Sequence, residues 1–280
     1  MPEIHVALAQ SRAALADPDR NTVRICQTMR EAVAGDPALR LIVFPELDLT
    51  GYECGARFAD LAVMPEESKH ISHIRETAAN LGINVIFGYP EKANGKLYNS
   101  LLVVDGRGEI LGNHRKVHLI PPEIPYFTRG DCYTLCQTDI GKLGLLNCWD
   151  TAFPEPARLL AEAGADFLVA CAAWEQPYVE QWVLSVRSRA FDNGLPVVGV
   201  NRVGPEVTLD FCGTSLVADA MGSVVQRATF DQEQLLYCRI ELDVSLRLRE
   251  KFASQILELQ KHTYSLQRII YPDAAEGGLR

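Results

Sequence analysis

Three apolar runs in this chain each stop on a residue with reactive chemistry. Leu41-Ile42-Val43-Phe44-Pro45 stops on Glu46, and the run through Ile110 and Leu111 stops at His114-Arg115-Lys116. The third, Lys142-Leu143-Gly144-Leu145-Leu146-Asn147, stops on Cys148, with Pro154 shortly after it. Side chains at the carboxyl ends of strands in a sheet protein line a common crevice. A thiol, a carboxylate and an ammonium gathered there have the parts of a nucleophile, a base and an oxyanion stabiliser. Each residue also has a plainer reading: Glu46 a surface carboxylate, Lys116 an edge-strand cation, Cys148 a buried core thiol. Taken singly the plainer readings are favoured, and it is the three together that point to a site. Cys148 is flanked by Trp149 and Asp150 at a strand-to-helix junction, where the helix N-terminus is expected to lower the thiol pKa.

Other chemistries find little support. The six histidines stand at 5, 70, 73, 114, 118 and 262; His70 and His73 share a helical face without the HExxH pattern. Cys132 and Cys136 form a CxxxC with no second pair, so no metal is expected. There is no GxGxxG and no GxxxxGKS or GKT, so no nucleotide cofactor is expected either. Gly213-Thr214-Ser215-Leu216-Val217 lacks the final Gly of a serine-hydrolase elbow.

Lys and Arg total 27 against 36 Asp and Glu, a formal charge of −9, which disfavours nucleic acid or anionic lipid as partner. With 48% hydrophobic and 22% charged residues the chain is globular rather than disordered. Most of the eight cysteines sit in apolar runs such as Leu168–Ala173 and Leu235–Ile240, as reduced core thiols do. The start, MPEIHVALAQ, lacks a basic segment followed by an apolar one, and no stretch approaches the roughly 18 apolar residues of a membrane helix. A soluble, cytoplasmic protein is expected.

The elements that must position the reactive residues are strands punctuated by Gly, Asp and Asn. They are expected at Ile4–Gln10, Leu39–Pro45, Asn84–Tyr89, Leu97–Asp105, Glu109–Lys116, Lys142–Cys148, Phe167–Ala172, Val197–Asn201, Ser215–Asp219, Val224–Arg227 and Leu235–Glu241. Helical patterns cover Arg20–Ala34, Glu66–Leu81, Pro154–Gly164 and Tyr178–Asp192. Turns at Asp105–Gly108 and Ala220–Ser223 read as hairpins. The pattern predicts an α/β fold: mixed sheets with helices on their outer faces. Residues 1–245 read as one domain. The segment 246–280 reads as a C-terminal arm, too small for its own core and expected to pack on a partner subunit.

At these residues the sequence resembles the nitrilase, or carbon–nitrogen hydrolase, superfamily. The matching blocks are Phe44-Pro45-Glu46 with Thr50-Gly51-Tyr52, His114 to Leu119, Glu123 with Tyr126-Phe127 and Gly130, and Asn147-Cys148-Trp149-Asp150 with Phe153-Pro154-Glu155. Weaker blocks follow at Gly164-Ala165, Ala173-Trp174, Arg189-Ala190, Asn201-Arg202 and Gly213-Thr214-Ser215, all in the family's order. The resemblance implies an α-β-β-α sandwich of two mixed sheets flanked by helices, dimerising through its helical faces. It further implies a Glu46–Lys116–Cys148 triad supported by Glu123, with no metal and no cofactor.

The chemistry this permits is hydrolysis of a small non-peptide amide to acid and ammonia. A thiolate is a better first attacker on an amide than water. Glu46 is expected to take the thiol proton, and Lys116 with the backbone N–H of Trp149 to hold the oxyanion. Asp150 after Trp149 resembles amidases and carbamoyl hydrolases more than nitrile-hydrolysing members. Tyr52 belongs to a layout like that of small aliphatic amidases; Phe153 and Trp174 could wall an apolar pocket, and Glu175 could read a cationic group. Hydrolysis of N-carbamoyl amines, a true nitrilase activity and a non-catalytic interaction role stay open.

Overall fold

The structure, a computed structural model, describes residues 3–243 and Arg247. In chain order its first half contains β1 (Ile4–Gln10), α1 (Pro18–Gly35), β2 (Leu41–Val43), α2 (Phe58–Leu61), α3 (Lys69–Leu81), β3 (Asn84–Ala93), β4 (Lys96–Val104) and β5 (Ile110–Arg115). The second half contains β6 (Leu135–Thr138), β7 (Gly141–Asn147), α4 (Pro154–Glu162), β8 (Phe167–Ala172), α5 (Val179–Asn193), β9 (Val197–Asn201), β10 (Val203–Pro205), β11 (Asp210–Cys212), β12 (Leu216–Ala218), β13 (Val224–Arg227) and β14 (Gln234–Ile240). Apart from Arg247, the arm expected over 246–280 lies outside the described residues.

Local chemistry sets the helix limits. Pro18 opens α1, and the Asp17 carboxylate accepts the Arg20 N–H at 3.0 Å. Ile25, Met29 and Ala32 then fall on one buried face at helical spacing. The α3 helix starts at Lys69 rather than at Glu66, because the Ser68 hydroxyl caps it through the Ile71 N–H. It stops at Gly82, whose φ of 67° few other residues adopt cheaply.

Two six-stranded mixed sheets form, ordered β14-β1-β2-β3-β4-β5 and β13-β12-β9-β8-β7-β6, with β10 and β11 paired apart. Each has three parallel strands at its heart, β1-β2-β3 in one and β7-β8-β9 in the other. Alternate residues serve opposite faces. Val6, Leu8, Leu41, Val43 and Ile86 meet Leu143, Leu145, Val169, Val198 and Val200 between the sheets. The intervening residues pack outward, Ala7, Ile42, Phe44 and Val85 under α1 and α3, and Leu146, Leu168 and Ala170 under α4 and α5. Covered on both faces, these strands read as continuous apolar runs. The result is the expected α-β-β-α sandwich. Truncating a fully buried side chain such as Ile86 to Ala would cost about 2–5 kcal/mol.

The turns at Asp105–Gly108 and Ala220–Ser223 close hairpins, with Asp105 and Asp219 N–H groups donating to Glu109 and Ser223. Unforeseen are β6, α2 and the three-residue strands β10 and β11, all too short or too polar to show a period. The parallel registers carry the segments after β2, β7 and β8 to the same end of the sandwich. Because β5 runs antiparallel to β4, and β4 to β3, the end of β5 arrives there too.

Candidate active site

Glu46, Lys116 and Cys148 follow β2, β5 and β7 and meet in the interior at that common end. The Lys116 ammonium donates to Glu46 Oε1 at 2.6 Å and to Glu123 Oε1 at 2.7 Å. All three side chains are essentially sealed from water. Asn99, in the middle of β4, donates through Nδ2 to the same two oxygens, at 2.7 and 2.9 Å. The other Glu46 oxygen accepts the Ala173 N–H at 2.8 Å, and the other Glu123 oxygen accepts the Ile120 N–H at 2.9 Å. The Cys148 thiol is buried close enough to Glu46 that the carboxylate raises its pKa.

The main chain fixes these groups. Leu47 and Cys148 both have φ of 49°, a left-handed conformation that costs about 1–2 kcal/mol without glycine. Gly88 of β3 passes so close that a Cβ there would lie 2.2 Å from the Leu47 nitrogen and 2.7 Å from Glu46 Cα. Only glycine allows that approach. Asn147 donates to Asn99 Oδ1 at 3.1 Å, tying the residue before Cys148 to the carboxylate bridge.

Electrostatics correct one expectation. Cys148 opens a five-residue 3-10 turn, Cys148–Ala152, but its thiol pKa is pushed well above the ordinary value, not lowered. Burial is the main cause and Glu46 the next, and Lys116 offsets them only in part. Burial opposes the Lys116 charge, yet Cys148, Glu123 and Glu46 together hold its pKa well above normal. Burial raises Glu123, and Lys116 only partly counteracts it. The resting site is therefore a thiol beside carboxylates that share one ammonium.

Asp150 does not reach the substrate side. Its Oδ1 accepts the His118 N–H and Nδ1, both at 2.9 Å, and its Oδ2 contacts His114 Nε2 at 3.0 Å and accepts the Asn147 N–H at 3.2 Å. Burial opposes its ionisation, but the two histidines hold its pKa below the usual carboxylate range. Asp150 thus anchors the turn that presents Cys148, from beneath.

A cleft of about 430 Å³ opens at Glu123 and Tyr52. Leu47, Phe58, Tyr126, Phe127 and Leu209 form much of its wall. The Tyr52 hydroxyl is buried beside Glu123 without a full hydrogen bond, and burial and the nearby Glu123, Glu46 and Cys148 push its pKa well up. Of the expected pocket residues only Tyr52 and Glu123 line this cleft. Trp149 is 38% exposed and packs on Trp174, ring centroids 5.3 Å apart. Phe153 stacks on His118 at 4.0 Å, and the half-buried Glu175 bridges to Phe211. These four stand outside the cleft wall.

Several positioning groups were not read from the sequence. Asn99 and Ser100 are polar, fully buried and in the middle of an apolar strand, a signal that could have marked them. Asn201, the last residue of the otherwise apolar β9, accepts the Trp174 N–H at 2.7 Å and donates to Gly213 O at 2.8 Å. It thereby holds the segment whose Ala173 N–H binds Glu46. Among the described residues no group of three or more His, Cys, Asp or Glu is arranged to hold a metal ion. No helix among them is long and apolar enough to cross a membrane.

Comparison with known proteins fits this geometry. The family profile described as carbon-nitrogen hydrolase matches residues 5–249. A probable nitrilase of Schizosaccharomyces pombe is 36% identical over 251 residues, 89% of this chain and 92% of that protein. Saccharomyces cerevisiae Nit3, a member of branch 10 of the nitrilase superfamily, superposes with a TM-score of 0.84 at 28% identity, covering 89% of this chain and 94% of that one. A mutant of the amidase from Nesterenkonia sp. AN1 superposes with a TM-score of 0.79 at 25% identity, covering 93% of this chain and 96% of that one. Its structure shows covalent addition of the acetamide moiety of fluoroacetamide at the active-site cysteine.

Proposed function

The chain belongs to the carbon–nitrogen hydrolase family and is a hydrolase of C–N bonds, and on that premise we propose that it converts a small non-peptide amide to a carboxylic acid and ammonia through a thioester on Cys148. The observation that carries this reading is the Lys116 ammonium held at 2.6 and 2.7 Å between Glu46 and Glu123, with the Cys148 thiol buried beside them.

As the amide carbonyl approaches, Glu46 takes the thiol proton and the sulfur attacks carbon. Negative charge builds on the carbonyl oxygen, where Lys116 and the Trp149 backbone N–H face it. Losing one such donor typically costs 10²–10³-fold in turnover. Glu46 returns the proton to the amide nitrogen, the C–N bond breaks and ammonia leaves. Water then adds to the thioester, giving its proton to Glu46. Collapse of that adduct breaks the C–S bond, releases the acid and restores the thiol. Glu123 is not consumed; it keeps Lys116 in place. Tyr52 offers its free hydroxyl to the substrate.

The test is ammonia release across primary amides, N-carbamoyl amines and nitriles, coupled with intact-mass measurement of acid-quenched enzyme. Ammonia from amides and an added acyl mass on the Cys148 peptide are expected. Turnover without any adduct, retained after Cys148→Ala, would overturn the mechanism. The proposal includes a homodimer, since Leu184 and Phe191 leave α5 with 63% and 50% exposed apolar side chains. A monomer by light scattering at micromolar concentration would remove that part.

A further inference from the structure

The cleft wall carries charge of one sign only. Its ionisable acids are Glu53 and Glu123, and among the described residues no Lys, Arg or His lines it. The nearest buried cations are already engaged. Lys116 lies between Glu46 and Glu123, and Arg202 is paired behind the wall with Glu206 at 2.5 Å. We propose that this cleft selects amides whose acyl group is uncharged and excludes acyl groups that bear a carboxylate, an inference that rests on the amidase reading above.

An acyl chain entering past Tyr52 meets Leu47, Phe58, Phe127 and Leu209, all apolar. A terminal carboxylate placed there loses its water, finds no counter-charge and faces Glu53 and Glu123. A terminal ammonium has carboxylates nearby, but most of their lone pairs are already taken. Glu53 already accepts the N–H groups of Val207 at 2.6 Å, Thr208 at 3.0 Å and Leu209 at 3.2 Å, and the Thr208 hydroxyl. Glu123 is occupied by Lys116, Asn99 and the Ile120 N–H. An uncharged chain is the one guest for which neither host nor guest is left with an unmet partner. The substrates ranked last are monoamides of dicarboxylic acids and N-carbamoyl amino acids.

Glutaramate and 5-methylhexanamide make the decisive pair, because a carboxylate and an isopropyl group have nearly the same shape. The wild-type enzyme should show kcat/KM for 5-methylhexanamide at least about 100-fold above that for glutaramate, the order expected when a buried charge goes unpaired. In Leu209→Arg the ratio should narrow by tenfold or more, through a lower KM for glutaramate. Equal or faster turnover of glutaramate by the wild-type enzyme would overturn the inference while leaving the amidase reading intact. Ammonia from neither amide, nor from any other, would overturn the amidase reading and this inference with it.

Discussion

Glu53 and Glu206 exchange carboxylates across the mouth of the cleft. Glu206 accepts the N–H groups of Tyr52 at 3.1 Å and Glu53 at 2.5 Å, while Glu53 accepts those of Val207, Thr208 and Leu209. Each acid staples the loop of the other, and Tyr52 and Leu209, one on each loop, line the cleft. Gly51 permits the close fit, since a Cβ there would lie 2.8 Å from Glu206 Oε1.

Cutting this clasp should alter substrate fit more than chemistry. Glu53→Ala removes a charged acceptor from three backbone donors, a loss of about 1–3 kcal/mol of local stability. KM for hexanamide is expected to rise about tenfold with kcat within threefold of wild type, while acetamide, too short to need Leu209, changes little. Steady-state kinetics on the two amides check this. A uniform fall in kcat with KM unmoved would show that the clasp does not shape the acyl site.

Two substitutions in the buried cluster should separate activity from stability. Cys148→Ala removes the nucleophile but no charge, so turnover should vanish with Tm within a few degrees of wild type. Lys116→Ala leaves two carboxylates buried without their ammonium, and should abolish turnover and also cost about 3–5 kcal/mol. Urea unfolding of both variants beside an ammonia assay decides it. Equal stability of the two would contradict the charge balance described here.

The raised thiol pKa fixes the form of the alkaline pH profile. Burial and Glu46 hold the Cys148 thiol well above its ordinary value of 9.0, and its anionic neighbours hold Lys116 well above 10.5, so both stay protonated from neutral pH up to the range where a free thiol ionises. The kcat/KM profile, which reports the free enzyme, should be flat there. A tenfold rise per pH unit through that range would mean that a pre-formed thiolate attacks, and would remove Glu46 as the base.

Asp150 supplies the acid-side counterpart. Its folded pKa lies below the unfolded 3.8, so the stability it contributes is complete well above pH 4 and drains away as pH falls through the depressed folded value. Asp150→Asn should cost about 3 kcal/mol at pH 7 and flatten the fall in unfolding free energy between pH 5 and 3. Denaturant titrations at several pH values give both numbers. An unchanged acid slope would move the acid sensitivity to another carboxylate.

The reactive residues were legible because each ends an apolar run, and parallel strands deliver such ends to one place. Glu46 after Phe44-Pro45 and Cys148 after Leu145-Leu146-Asn147 carry that signal in the chain itself. The long helices were legible from caps such as Ser68 and stops such as Gly82. What was hidden depends on distant partners. Nothing adjacent to Glu206 announces that it will cap Tyr52 and Glu53, more than 150 residues away in the chain. Asp150 beside Trp149 marks a family resemblance in the sequence, and only the arrival of His114 and His118 shows that it anchors the turn carrying Cys148. The thiol pKa was misjudged for a related reason. A helix N-terminus is a local feature, whereas the desolvation and the Glu46 carboxylate that outweigh it come from the assembled fold.

A buried thiol kept protonated at rest has a bearing on how long the protein lasts. Peroxide attacks thiolates, and oxidation beyond the sulfenic acid is irreversible without a dedicated repair enzyme. Cys148 is 5% exposed and its thiol is held protonated, while Cys132 is the one solvent-exposed cysteine among the described residues. The surface thiol should therefore oxidise first and harmlessly, and activity should outlive it, as peptide mapping during peroxide exposure would reveal. The same burial that raises the Cys148 pKa also keeps its sulfur out of the reach of peroxide in solution.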